Sequence, residues 1–181
     1  IMQKTLNVLI LEDNPSDAEL LLVQLRKAGY DPVWHLTSNE KDFLSLLKPD
    51  LDIILSDYSM PQFTGTEALR LLSESGYDIP FILISGTIGE EIAVESMRQG
   101  ADDYLMKDRM ARLGTAIDSA LSKKALRDEK RRSGQILEHE RELAQKYLDI
   151  ADVMIIALGR EGNITLVNRK GAQNLGYPAQ D

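Results

Sequence analysis

The stretch DIILSDYSMP, residues 52–61, places a charge at the tip of an apolar segment. The run Ile53–Leu55 is typical of a strand that is covered on both faces of a sheet. It leads directly into Ser56 and Asp57, with no basic residue nearby in the sequence. An unpaired carboxylate at the end of a buried strand is energetically costly. The rest of the chain is therefore expected to supply partners for Asp57.

Short apolar segments alternate with helical patterns through residues 6–107. The apolar segments predict five strands, at residues 6–11, 32–36, 52–56, 80–85 and 103–106. Strands that alternate with helices pair in parallel through right-handed crossovers, and the helices cover both faces of the sheet. We therefore predict an α/β fold with a doubly wound, five-stranded parallel sheet. The flavodoxin-like strand order 2-1-3-4-5 is expected for a domain of this size.

Capping signals predict where the first two helices begin. Ser16 is the expected N-cap of the first helix, with Glu19 three residues later as its capping-box partner. The second helix is expected to start at Ser38 and to end before Pro49.

The composition excludes several classes of function. Hydrophobic residues make up 43% and charged residues 28% of the 181 residues, which is ordinary for a globular protein. The net charge of −8 argues against direct binding to nucleic acid. The chain has no Cys and two His, which excludes disulfides and thiol catalysis and argues against a His-rich metal site. Without a membrane-span or signal-peptide pattern, we expect a cytoplasmic protein that does not insert into membranes.

The sequence changes character after residue 108. Residues 109–150 contain no proline and are rich in Ala, Leu, Glu, Lys and Arg, which favours a long helix that continues the last helix of the domain. Ile136, Leu143 and Ile150 recur every seven residues as a partial coiled-coil seam, which favours a parallel homodimer. The basic run at residues 123–132 is interpreted as a solvated helix face.

A second pattern begins near residue 148. The segments VMIIAL (153–158) and NITLVN (163–168) flank a glycine-containing turn and predict a β-hairpin, and a helical pattern follows from residue 169. A hairpin with one partial helix cannot bury its own apolar face. We therefore interpret residues 1–125 as one domain, residues 126–147 as a helical linker, and residues 148–181 as the opening of a second domain.

Polar side chains follow the strands of the predicted sheet at one edge. Strand one is followed by Glu12 and Asp13, and strand three by Asp57, while Ser85 ends strand four and Lys107 follows strand five. Ligands bind outside the carboxyl ends of such strands, at the switch point of the winding. Because strands one and three are neighbours in the predicted order, the three carboxylates are expected to converge. Their mutual repulsion calls for a cation, and hard oxygen ligands suit Mg²⁺.

The same residues supply the groups that phosphoryl transfer requires. Asp57 offers a carboxylate nucleophile, Lys107 a positive charge for an anionic oxygen, and Ser85 a hydroxyl donor. Together with Mg²⁺, this set predicts that Asp57 becomes an aspartyl phosphate.

Residues 6 to about 125 resemble the receiver domain of two-component response regulators. The matching segments are LILEDNPSD (9–17), IILSDYSMPQFTGTEAL (53–69), PFILISGT (80–87) and GADDYLMKD (100–108). The resemblance implies these functional positions: Glu12 and Asp13 as the acidic pair, Asp57 as phosphoacceptor, Ser59 as donor of a backbone carbonyl to the metal, Ser85 and Tyr104 as switch residues, and Lys107 as the family lysine.

Two further features bear on the resemblance. The family usually places proline after the lysine, with a cis peptide bond, whereas this chain has Asp108 there. Because a cis bond before a non-proline residue is costly, a trans loop is expected. Residues 148–181 resemble the start of a PAS sensor domain.

The resemblance implies phosphorelay signalling. A histidine kinase or phosphotransfer protein would donate a phosphoryl group to Asp57 in a Mg²⁺-dependent reaction, and the long helix would pass the change to the PAS-like region and an effector. In that role the chain is not an enzyme. Two alternatives remain open. An Asp-nucleophile phosphatase normally has a second Asp two residues after the nucleophile, where this chain has Ser59. A receiver could also act by dimerisation without phosphorylation.

Overall fold

Five strands alternate with helices in the N-terminal part of the chain. The computed structural model describes residues 4–87, 89–150 and 153–176, and the chain divides into two units, Ile1–Arg127 and Asp128–Asp181. The elements of the first part are β1 (Lys4–Leu11), α1 (Pro15–Lys27), β2 (Tyr30–Thr37), α2 (Glu40–Leu46), β3 (Ile53–Asp57), α3 (Gly65–Ser75), β4 (Phe81–Ser85), α4 (Glu90–Arg98) and β5 (Asp103–Met106). A 3₁₀ segment (Lys107–Arg112), α5 (Leu113–Ile150), β6 (Ile156–Leu158), β7 (Ile164–Val167) and α6 (Arg169–Leu175) follow.

The sheet has the strand order β2-β1-β3-β4-β5, and all four pairings are parallel. This confirms the predicted doubly wound, flavodoxin-like fold. The inner strands β3 and β4 are buried along their whole length, because helices cover both faces of the sheet. One core forms between the sheet and α1 with the start of α5, and the other between the sheet and α2 with α3.

Strand ends differ from the sequence prediction by one or two residues. β1 and β2 pair over eight residues each, from Lys4 opposite Tyr30 to Leu11 opposite Thr37. Hydrogen bonding therefore extends over polar strand ends that the apolar pattern does not mark. β3 begins and ends one residue later than predicted, so that Asp57 is itself the last strand residue.

The predicted starts of the first two helices were wrong. The N-cap of α1 is Asn14, whose side chain accepts a hydrogen bond from the Ser16 amide, and Pro15 is the first helical residue. Proline suits that position because its φ is already helical and its missing N–H is not needed there. The second helix is capped by Asn39 instead of Ser38.

Helix α5 runs without a break from Leu113 to Ile150, which confirms the predicted long helix. Its first turns belong to the core, where Leu113 and Ile117 are fully buried. Arg127 then binds two carboxylates near the opposite edge of the sheet: Nη2 lies 2.9 Å from Asp78 Oδ1, and Nη1 lies 3.2 Å from Asp102 Oδ1.

The second unit contains the predicted hairpin and helix. β6 and β7 pair antiparallel, and Gly162 in their turn has a φ of 81°, in the left-handed region that glycine tolerates. The Asn168 side chain caps α6 by accepting a hydrogen bond from the Gly171 amide, and it donates to the Val153 carbonyl at 2.8 Å. Residues 177–181 lie outside the described part of the chain. No helix within the described ranges is both long enough and apolar enough to cross a bilayer.

Gly65 places the start of α3 against the end of β3, and its replacement tests this close approach. A Cβ at position 65 would clash with Leu83 Cδ2 and would lie 2.6 Å from the backbone oxygen of Asp57. We expect Gly65→Ala to lower the free energy of unfolding by about 1–3 kcal/mol, because backbone atoms must shift. Urea unfolding measures this change.

Gly134→Ala is the matched control for that measurement. Gly134 is exposed within α5, and apart from the adjoining backbone of the helix no described atom lies within 4 Å of a Cβ built there. Alanine at this position should stabilise the helix by about 0.5–1 kcal/mol. Equal effects of the two substitutions would contradict the packing argument.

Candidate functional site

Three carboxylates meet at the carboxyl edge of the sheet. Glu12 and Asp13 follow β1, Asp57 ends the neighbouring β3, and one oxygen from each lies within 4.8 Å of the others. Glu12 and Asp57 are buried, whereas Asp13 is exposed. The structure therefore brings together the acidic residues that the predicted strand order places side by side.

Backbone hydrogen bonds fix the Glu12 carboxylate and the end of the strand that carries Asp57. Glu12 Oε1 accepts a hydrogen bond from the Asn14 amide at 3.0 Å, which ties it to the start of α1. Beyond Asp57, the Tyr58 amide donates to the Ile84 carbonyl at 2.8 Å and so continues the β3–β4 pairing. The Glu12 carboxylate cannot leave the cluster without losing its bond to Asn14, and the backbone that carries Asp57 is fixed beside β4.

Lys107 is the cation of the site. Its Nζ lies 2.6 Å from Asp17 Oδ2, 3.1 Å from Glu12 Oε2 and 3.4 Å from Asp57 Oδ2. Burial by itself lowers the pKa of Lys107, but the hydrogen bonds to Asp17 and Glu12 and the charge of Asp57 outweigh it and raise the pKa. The lysine is therefore positively charged at physiological pH.

Asp17 is a site residue that the sequence reasoning missed. It lies in the first turn of α1, the helix that starts directly after the acidic pair. An acidic residue in the first turn of a helix that begins at the site was the signal available in the sequence.

Burial gives Glu12 a raised pKa, and the charge of Asp57 raises it further. The Asn14 amide and Lys107 act in the opposite direction without cancelling the effect of burial. A carboxyl whose pKa is higher in the folded protein favours folding at low pH, and this contribution is lost as the pH rises through the folded pKa. The raised pKa means that ionised Glu12 is disfavoured beside Asp57. A cation bound between these carboxylates would therefore stabilise their ionised forms.

Ser85 and Tyr104 both contact Thr87, a second residue that the sequence reasoning missed. Ser85 Oγ donates to the Thr87 carbonyl at 3.2 Å, and the Tyr104 hydroxyl donates to the same carbonyl at 3.1 Å. The Thr87 amide in turn donates to Ser85 Oγ at 3.2 Å. The two predicted switch residues thus share one acceptor. Thr87 ends the matched segment PFILISGT, which was the signal available for it.

The remaining predicted positions lie where the sequence suggests. Ser59 is exposed two residues beyond Asp57, and the role of its backbone carbonyl stays a prediction. The peptide bond between Lys107 and Asp108 is trans, as expected, and a 3₁₀ segment begins at Lys107.

Comparison with known families finds a match over most of the N-terminal part of the chain. A family model described as response regulator receiver domain matches residues 8–118, more than half of the chain. Proteins named response regulator SaeR, from Staphylococcus epidermidis and Staphylococcus aureus, are 29% identical over 101 residues. The match covers 56% of this chain and 43% of theirs, so the chain spans less than half the length of these relatives.

Solved structures with a similar fold cover about two thirds of this chain. The FixJ-N crystal structure is 29% identical, with a TM-score of 0.55, covering 65% of this chain and 94% of that one. The signal receiver domain of a signal transduction histidine kinase from Syntrophus aciditrophicus is 32% identical, with a TM-score of 0.52, covering 64% of this chain and 89% of that one. A receiver domain protein from Clostridium thermocellum, at 22% identity and a TM-score of 0.59, covers 67% and 98% and supports the fold alone.

Removing one charge tests the repulsion within the cluster. Asp57→Asn should raise the melting temperature in buffer that contains chelator, because Asp57 loses only the longest Lys107 contact and no longer repels Glu12 and Asp13. A relief on the order of 1 kcal/mol corresponds to about 3–5 °C for a domain of this size.

The control for this experiment is Asp50→Asn, at an exposed aspartate before β3, which should leave the melting temperature unchanged. Added Mg²⁺ should stabilise the wild type more than Asp57→Asn. A melting temperature for Asp57→Asn equal to or below that of the wild type in chelator would count against repulsion.

Proposed function

This chain belongs to the family of response regulator receiver domains, and we propose that it accepts a phosphoryl group on Asp57 from a histidine kinase or a phosphotransfer protein. The proposal rests on the groups that surround Asp57. Two further carboxylates lie beside it, and Lys107 Nζ lies 3.4 Å from Asp57 Oδ2. Burial of a lone strand-end aspartate would explain a cation beside it, but it would not explain two further carboxylates.

The transfer requires one nucleophile and one leaving group. A carboxylate oxygen of Asp57 attacks phosphorus and forms the new O–P bond, while the P–N bond to the donor histidine breaks and the nitrogen keeps the electron pair. The nucleophile is an anion, so no base has to remove a proton from it. Lys107 already lies beside Asp57 and is positioned to contact an oxygen of the incoming phosphoryl group.

Glu12, Asp13 and Asp57 form the proposed Mg²⁺ site, with the backbone carbonyl of Ser59 as a further ligand. Oxygen atoms that lie within 4.8 Å of one another, in a partly exposed cluster, suit a hard cation that keeps some of its water. Bound Mg²⁺ supplies positive charge to the phosphoryl oxygens during transfer.

The proposed switch passes through Ser85, Thr87 and Tyr104. A phosphoryl group on Asp57 adds strong hydrogen-bond acceptors at the end of β3, next to β4. If Ser85 Oγ donates to that group, it leaves the Thr87 carbonyl, which is also the acceptor for Tyr104. Phosphorylation then shifts a pre-existing equilibrium of the β4–α4 loop and the tyrosine.

Downstream of the receiver domain, we propose a linker at residues 126–147 and the opening of a PAS sensor domain at residues 148–181. The hairpin and the helix α6 support the second assignment. On α5, Ile136, Leu143 and Ile150 are 60%, 37% and 79% exposed, and their heptad spacing supports a homodimer through the linker.

Labelling with a small donor tests the phosphoacceptor. We expect acetyl phosphate and Mg²⁺ to transfer one phosphoryl group per chain, detected by intact-protein mass spectrometry. Asp57→Asn should abolish the labelling because it removes the nucleophile, whereas Asp50→Asn at the exposed aspartate should label like the wild type. An unlabelled wild type would favour a receiver that acts without phosphorylation. Continuous release of phosphate from an aryl phosphate would instead indicate a phosphatase.

Light scattering tests the linker. We expect the wild type to have the mass of a dimer, and Leu143→Gln to shift it towards the monomer because a polar side chain replaces a seam residue. Glu142→Gln changes the exposed neighbour outside the seam and should not alter the mass. Measurements with and without beryllofluoride, a phosphoryl mimic, show whether the receiver domain controls association. A monomeric wild type under both conditions would contradict the proposed dimer.

A further inference from the structure

We propose that Asp17 is a positioning residue for Lys107. By holding the Lys107 ammonium, Asp17 keeps it from pairing too closely with the nucleophile Asp57. The inference rests on the proposed phosphoacceptor function and deepens it. Its starting point is the order of distances around Nζ, where Asp17 Oδ2 lies at 2.6 Å, Glu12 Oε2 at 3.1 Å and Asp57 Oδ2 at 3.4 Å. The shortest of these contacts is to the carboxylate that is not at a strand end.

A cation bound at the site would affect the three contacts of Lys107 differently. An ammonium has three hydrogen-bond donors and no acceptor, so these three carboxylates account for all of its hydrogen bonds. Glu12 and Asp57 belong, with Asp13, to the group of oxygens that lie within 4.8 Å of one another, whereas Asp17 does not. A divalent ion held by that group competes with Lys107 for Glu12 and Asp57. Asp17 is then the partner that stays with the lysine.

The surroundings of the lysine leave the ammonium few alternatives. A small cavity beside α1 and the 3₁₀ segment is lined by three charged residues: Glu12, Asp17 and Lys107. Its other lining residues are apolar: Leu20, Leu21, Ile84 and Met110. If Asp17 loses its charge, the carboxylates left in contact with the ammonium are Glu12 and the nucleophile Asp57.

Asp17 also has a fixed position from which to act. Its amide donates to the Asn14 carbonyl at 3.1 Å in the first turn of α1, and Asn14 caps that helix. The Asp17 side chain is only partly exposed, at 34%. A carboxylate anchored in this way restrains the lysine from one side, so the Asp57 oxygen remains available for attack on phosphorus.

Labelling kinetics test this role. With saturating Mg²⁺ and acetyl phosphate, Asp17→Asn should label about fivefold more slowly than the wild type. Asparagine can still accept a hydrogen bond from Lys107, so the substitution turns a charge-assisted bond into a neutral one. Asp17→Glu retains the charge and should recover part of the rate. Glu19→Gln removes an exposed acidic group from the same helix and should label at the wild-type rate.

A second readout does not depend on labelling. Double-mutant cycles from urea unfolding compare the coupling of Asp17 to Lys107 with that of Glu12 to Lys107, using Asp17→Asn, Glu12→Gln and Lys107→Met. Each cycle is measured in chelator and in Mg²⁺. We expect Mg²⁺ to weaken the Glu12–Lys107 coupling and to leave the Asp17–Lys107 coupling in place.

The possible results separate the two proposals. If the wild type does not label, the phosphoacceptor function fails, and the cycles still decide whether Asp17 retains the lysine in Mg²⁺. If the wild type and Asp17→Asn label at the same rate, the positioning role is overturned while the phosphoacceptor function stands. Loss of the Asp17–Lys107 coupling in Mg²⁺ would also overturn the positioning role of Asp17.

Discussion

Repulsion between carboxylates at the end of a parallel sheet is the constraint around which this site is built. Parallel pairing of β1 with β3 fixes the directions in which Glu12, Asp13 and Asp57 leave the sheet, and their oxygens come within 4.8 Å of one another. The strands cannot separate to relieve the repulsion because both belong to the buried core. The negative charge of the three carboxylates has to be compensated by cations that lie beside them. Lys107 provides part of the compensation, and the proposed Mg²⁺ provides the rest.

The neighbouring elements fit around this cluster. Helix α1 starts beside it and supplies Asp17 to the lysine, and α3 starts so close to Asp57 that only glycine fits at position 65. On the other flank, the Thr87 carbonyl accepts hydrogen bonds from both predicted switch residues. The proposed phosphoryl-transfer site and the proposed switch therefore share one edge of the sheet. At the other edge, Arg127 anchors α5 through ion pairs.

Much of the fold was predictable because its signals are local. Inner parallel strands are apolar on both faces, so β3 and β4 stand out as continuous runs, and glycine marks the end of α3 at Gly76. Helix starts were less predictable. Ser16 and Asn14 can both cap a helix, and the proline between them decided the outcome in favour of Asn14. The extra residues of β1 and β2 come from pairing between strands, which an apolar pattern cannot record.

The sequence by itself determined the strands, the helices and the type of residue at each strand tip, because apolar periodicity and caps act over a few neighbouring residues. With the strand order that such an alternation favours, it also placed Glu12, Asp13 and Asp57 at one edge of the sheet. Only the tertiary structure decided which of several carboxylates holds Lys107 most closely. Asp17 and Lys107 are 90 residues apart in the chain, and their 2.6 Å contact depends on how α1 packs beside the end of β5. No local pattern encodes such a distance, because it results from the packing of the whole core.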